Sequence, residues 1–184
     1  MESVIGTFVV FLLLAALVLA VLGREERVGV MSGPAAIGVW FVYLVHADTV
    51  VTAAYVETGR VDAIPKSVAF IAGGLVIVAG FALFAWATRA LVNQGDFEGL
   101  RARRLVTGGP YGFMRQPQNA GWALMLLGVA IAGRSLISLA LVAIFVAFVA
   151  LLGRLEARGL AVSFGDEYER WRSRTPSLPF VPVT

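Results

Sequence analysis

Apolar positions in this chain come in long blocks, not in helical stripes or strand alternations. The blocks cover residues 3–22, 34–56, 68–92, 120–132 and 136–152, with polar segments between them. A run of about twenty apolar residues is long enough to cross a bilayer as a helix. The fourth block is short for a span. Pro117 is favoured at a helix start, so this helix is predicted to begin near it. Gly133-Arg134-Ser135 makes a turn, and the last two blocks read as a helical hairpin. The first block reads as a retained helix and not as a cleaved signal. It follows Glu2 with no Lys or Arg, it is long, and no small-x-small site comes after it.

Composition sharpens this into a class. The 184 residues are 59% hydrophobic and 15% charged, which excludes an ordinary soluble domain. The expected fold is all-α, a polytopic membrane protein of about five transmembrane helices with a cytosolic C-terminal helix. It forms one integral membrane domain, 1–184, with N-terminal spans in 1–104 and a functional half in 105–184. With no cysteine and one histidine, His46, neither a thiolate site nor a histidine-rich metal centre is available, and no metal is expected. The bilayer is the expected partner, and nucleic acid is not.

Charge distribution sets the expected orientation. Twelve of the fifteen Lys and Arg fall on the first loop, the third loop and the tail, leaving only Arg60, Lys66 and Arg134 for the other side. The positive-inside rule then puts the N-terminus outside and the third loop and tail in the cytoplasm.

Several blocks carry marked residues. His46 and Asp48 lie inside the second, where ionisable groups are costly. Two residues apart, they point to different helix faces, so satisfaction by a neighbouring helix competes with a substrate-side role. Gly73, Gly74 and Gly80 in the third permit close helix approach. The segment 105–121 cannot be regular structure. Gly108-Gly109-Pro110 favours a tight turn, and Pro117 keeps a helix from running through Arg115 and Gln116. Irregular backbone beside a membrane is tolerated where protein or a wet cavity surrounds it, so a cavity is expected there. In the tail, residues 164–172 read as a short helix with acids early and arginines late. Phe164, Tyr168 and Trp171 are spaced as one aromatic face, which suits either an interfacial helix or a lid over the connector.

The ordered set Thr107-Gly108-Gly109-Pro110-Tyr111, Arg115-Gln116-Pro117, Gly121, Glu156 with Leu160, and Phe164-Gly165-Asp166-Glu167-Tyr168 with Trp171 resembles the isoprenylcysteine carboxyl methyltransferase and phospholipid methyltransferase superfamily. The resemblance implies a membrane-embedded enzyme using S-adenosyl-L-methionine, with a lipophilic or small apolar acceptor entering from the bilayer. It places Gly109, Pro110, Tyr111, Gln116, Pro117, Asn119, Gly121, Glu156, Tyr168 and Trp171 around the cofactor. Arg115, Glu156 and Arg174 are the candidates for the chemistry. The sequence departs from the family pattern at Gln116 (histidine), Asn119 (tyrosine), Ala157 (glutamate) and Ser177 (arginine). Two other readings stay open: an NADPH-dependent reductase of the sterol-reductase type, and a non-catalytic diverged scaffold.

Overall fold

The computed structural model describes residues 2–25, 32–57, 61–94, 97–98, 101–102 and 104–177. Helices α1 (Glu2–Glu25), α2 (Gly33–Val56) and α3 (Lys66–Gln94) come first. A two-residue ladder follows, in which β1 (Phe97–Glu98) pairs antiparallel with β2 (Arg101–Ala102). A 3-10 turn over Gly109–Gly112 leads to α4 (Pro117–Gly133), α5 (Leu136–Phe164) and the short α6 (Asp166–Arg172). Helices α1, α2, α3 and α5 are long and apolar enough to cross a membrane, while α4 has 17 residues.

The apolar blocks become helices because nothing within them breaks the backbone, and their limits are set by caps and prolines. Ser32 caps α2 by accepting from Ala35 N at 3.3 Å, and Ser135 caps α5 through Ser138 N at 3.0 Å. The core joins Phe11 of α1, Val42 and Val50 of α2, and Phe145 and Leu152 of α5, all essentially inaccessible. Large apolar side chains also cover the outside, among them Leu13, Phe70 and Leu75. Hydrocarbon tolerates such a surface, so association between the helices depends on packing.

That packing is closest between α3 and α4. A Cβ on Gly80 would stand 2.7 Å from Gly121 O, and one on Gly128 would stand 2.6 Å from Gly73 O. Glycines seven apart on each helix therefore face one another across an antiparallel contact.

Polar connections gather at the two ends of the bundle. At one end Arg134, in the left-handed region at φ 53°, donates to Ile64 O at 3.0 Å and to Val61 O at 3.3 Å. Buried Glu57 there accepts from Ser135 Oγ and from Ile137 N, each at 2.8 Å, so a carboxylate from α2 sits at the positive end of α5. Glu57→Ala leaves both donors without that acceptor. A loss of about 2 kcal/mol is expected, visible as a lower melting midpoint in detergent, with Glu57→Gln falling between.

Two expectations are corrected. Helix α5 does not end near Leu152 but continues to Phe164, since no proline interrupts it and Gly153 and Gly159 are accommodated within the helix. Gly165, at φ 50°, then breaks the axis. Phe164 thus ends α5 while Tyr168 and Trp171 belong to α6, and the three do not share one helical face. The neighbouring-helix reading of the second block holds in part: His46 is buried with Nε2 3.1 Å from Leu141 O and its ring against Phe11 and Phe145, its Nδ1 has no hydrogen-bond partner among the described residues, and Asp48 is exposed.

Candidate functional site: a notch over the start of α4

The other end of the bundle is shaped by how late α4 begins. Gly121 sits opposite Phe84, yet α3 continues to Gln94, about 15 Å further at 1.5 Å per residue. Helix α5 passes Gln116 at Gly153 and runs on to Phe164, about 16 Å further. Two long helices overshoot a short one, which leaves a notch floored by the first turn of α4. Pro117 causes it, because a helix cannot be carried back through the residue before proline.

The connector and the C-terminal arm close the notch from above. Trp171 donates from Nε1 to Tyr111 O at 3.0 Å, and Arg115 N donates to Pro176 O at 2.9 Å. Tyr168 is buried, its ring 5.8 Å from that of Trp171, and its hydroxyl lies beside the Arg115 guanidinium. The arm is therefore folded over the connector, as the lid reading requires. Trp171→Phe keeps an aromatic ring, though a smaller one, and loses the hydrogen bond. Net loss of about 1 kcal/mol raises the population of the open arm roughly fivefold, measurable as faster tryptic cleavage at Arg170, Arg172 and Arg174.

Inside, the described residues enclose about 180 Å³. Glu156 and Leu160 of α5 form one wall, and Leu91 of α3 with Tyr111 lies across from them. Arg115, Gln116, Pro117, Gln118 and Asn119 supply the floor, while Arg104, Phe164 and Trp171 complete the rim. Gln116 caps α4 without a side-chain hydrogen bond, so its first-turn N–H groups, which no carbonyl of α4 can reach, look into the notch. Its amide is stowed against Gly153, where any Cβ would occupy its place. Arg115 Nε is buried with no hydrogen-bond partner among the described residues.

Two polar relays extend from the floor. Tyr43 of α2 donates its hydroxyl to Asn119 Oδ1 at 2.7 Å. Tyr111 donates to Gln118 Oε1 at 3.4 Å, and Gln118 Nε2 donates to Thr88 Oγ1 at 3.0 Å. Burial first, and the nearby Glu156 carboxylate second, push the Tyr111 phenol upward, so it remains a donor at neutral pH. Burial also raises Tyr168, although Arg115 beside it pulls the other way.

The structure thus brings Arg115, Tyr111, Gln116, Pro117, Asn119, Glu156 and Trp171 to one cleft, with Tyr168 packed behind. Gly109 and Pro110 form the turn that carries Tyr111, Gly109 at φ 60°. Gly121 stands at the α3–α4 contact and does not line the cleft. Arg174 is exposed and also stands apart, because the turn after α6 directs Thr175 inward instead. Tyr43, Gln118, Thr88 and Arg104 were not among the expected site residues. The pairing of Tyr43 with Asn119 spans 76 positions, and no spacing in the sequence announces it.

An apolar-surfaced bundle with a polar cleft closed over at one end is the build of a multi-pass membrane protein. Residues 68–167, more than half of the chain, match the family model for phospholipid methyltransferase, and the chain belongs to that family of membrane methyltransferases. The match starts in α3, takes in the connector, α4 and α5, and stops at Glu167, so Tyr168 and Trp171 are placed by the structure alone. No curated protein and no solved structure matches the chain.

Proposed function

We propose that the notch binds S-adenosyl-L-methionine, and that the protein transfers its methyl group to a lipophilic or small apolar acceptor arriving from the bilayer. The observation that carries this reading is the donor and acceptor set converging on the notch in a member of a methyltransferase family. Glu156 offers a carboxylate to an ammonium or to ribose hydroxyls. The start of α4 and the unpartnered Arg115 Nε offer positive charge and N–H groups to a carboxylate. Leu91, Leu160 and Phe164 offer apolar surface to a base. The enclosed 180 Å³ lies below the roughly 300–1,000 Å³ of most small-molecule sites, so a ligand of this size fills the notch and extends past its rim.

When bound, S-adenosyl-L-methionine supplies an electrophilic methyl group on a sulfonium. This chain contributes alignment and exclusion of water, which an in-line displacement needs more than strong acid–base chemistry. Trp171 and Pro176 hold the arm shut, and Tyr43 fixes the Asn119 amide at the floor. An acceptor route is open on the lipid side. Helices α2 and α3 scarcely touch, and the rings of Trp40 and Phe84, 6.2 Å apart, bridge them beside Trp122 of α4. Trp40 is half-exposed, and Trp122 Nε1 has no hydrogen-bond partner among the described residues. By the positive-inside rule the notch faces the cytoplasm, where the cofactor is made available, and the N-terminus lies outside. Five passes through the bilayer, α4 being the shortest, give this orientation.

Calorimetric titration of the purified protein with S-adenosyl-L-methionine, its demethylated product and NADPH tests the reading. Saturable binding of the first two and none of the third is expected. Selective binding of NADPH would overturn it in favour of a reductase, and binding of none would leave a scaffold.

A further inference from the structure

The outward face of α2 carries a pattern that the notch does not use. Ile37, Phe41, Leu44, Val51 and Tyr55 are each more than half exposed. With Asp48, also exposed, they follow one another at alternating steps of four and three residues, the spacing of a coiled-coil seam. Val42, His46, Val50 and Ala53, buried against the rest of the bundle, occupy the opposite side of the same helix. Asp48 lies about 12 Å along the axis from Val56, well inside a helix 24 residues long and so at the depth of the hydrocarbon. No described residue bonds its carboxylate. An ionisable group turned straight outward at that depth is costly unless something covers it.

We propose that a second copy of this chain covers it, with α2 packed parallel against α2 and Asp48 facing Asp48. Copies inserted in the same sense can pair about an axis along the membrane normal only in parallel. A parallel two-stranded seam sets each such position opposite its own counterpart. With one proton taken up from water between them, the O–H of one carboxyl donates to the carboxylate oxygen of the other, and both leave the hydrocarbon together. A slip along the seam would strand both against apolar side chains, so Asp48 fixes the register. The same patch serves on both copies, and no second surface is needed.

Because the chain contains no cysteine, single replacements report directly. Leu44→Cys and Val51→Cys, on the seam, and Leu13→Cys, on the free face of α1, are placed one at a time in the full-length protein. Each variant is reconstituted at high lipid dilution in phosphatidylcholine vesicles and oxidised with copper phenanthroline. The seam positions are expected to form disulfide-linked dimer at least tenfold more than position 13. In the Leu44→Cys background, Asp48→Asn keeps the crosslink and Asp48→Leu lowers it at least fivefold, with tryptophan-fluorescence melting to confirm that each variant is folded. Equal crosslinking at all three positions, no crosslinking at positions 44 and 51, or an Asp48→Leu variant that dimerises as before would each overturn self-pairing. If Asp48→Leu does not fold, the contrast between positions 44, 51 and 13 decides alone.

Discussion

Gly80→Leu should separate α3 from α4 and lose the fold at the notch end. A first side-chain atom there meets Gly121 O and Met125 N at 2.7 Å and Leu124 Cβ at 2.9 Å, two of them backbone atoms that cannot step aside. The rest of the leucine adds to an overlap that the helices relieve only by moving apart. Overpacking typically costs up to about 3 kcal/mol, and a backbone obstruction belongs at or above that limit. The neighbouring Gly74 is the control, since a Cβ there meets nothing within 4 Å. Gly74→Leu is expected to leave the melting midpoint unchanged while Gly80→Leu lowers it sharply. Because Gly121 is seated by Gly80, displacement also shifts Gln118 and Asn119 at the notch floor. Ligand affinity should therefore fall along with stability in any residual folded fraction. Matching melting curves for the two variants would show that the glycine contact does not hold these helices.

Glu156→Gln is expected to weaken S-adenosyl-L-methionine binding ten- to a hundredfold. A hydrogen bond to a charged group contributes about 1.5–3 kcal/mol, and each 1.4 kcal/mol is about tenfold in affinity. The glutamine keeps the shape and one acceptor oxygen, so the change reports charge more than packing. Glu169→Gln supplies the comparison. That carboxylate is exposed on α6, 3.4 Å from Arg172, in a surface pair of small value. Calorimetry should show Glu169→Gln within about twofold of the unaltered protein. Equal losses at the two positions would take Glu156 out of the site.

Much of this architecture can be read from the residues, and the unread part has physical reasons. Unbroken apolar blocks gave the helices. Gly73 and Gly80 announced a close approach, and Pro117 with the glycines before it announced irregular backbone beside a cavity. The length of α5 was hidden, because the change from leucines to Arg154, Glu156 and Arg158 looks like a helix end although nothing there interrupts the backbone. Gly165 was ambiguous in the opposite sense. A lone glycine in a periodic stretch is often tolerated, and only its left-handed conformation shows that the aromatic series is split between two helices. Tyr43 is a single phenol in an apolar block, and its role depends on a partner that local pattern cannot reach. Arg174 shows the reverse failure. The resemblance makes it a candidate for the chemistry, but the turn after α6 leaves it in solvent.

The brevity of α4 bears on how far an acceptor must travel. Seventeen residues rise about 25 Å, roughly 5 Å less than the hydrocarbon thickness they stand in. In the proposed orientation the shortfall lies on the notch side, where lipid beside a short helix thins to match it. The headgroup layer on that side would then be drawn inward where α2 and α3 part. A lipid there would present its polar end nearer the level of Asn119 without being lifted out of its leaflet. If the proposed methyl transfer holds, depth and not extraction decides which acceptors react, and transfer is expected to slow in thicker bilayers.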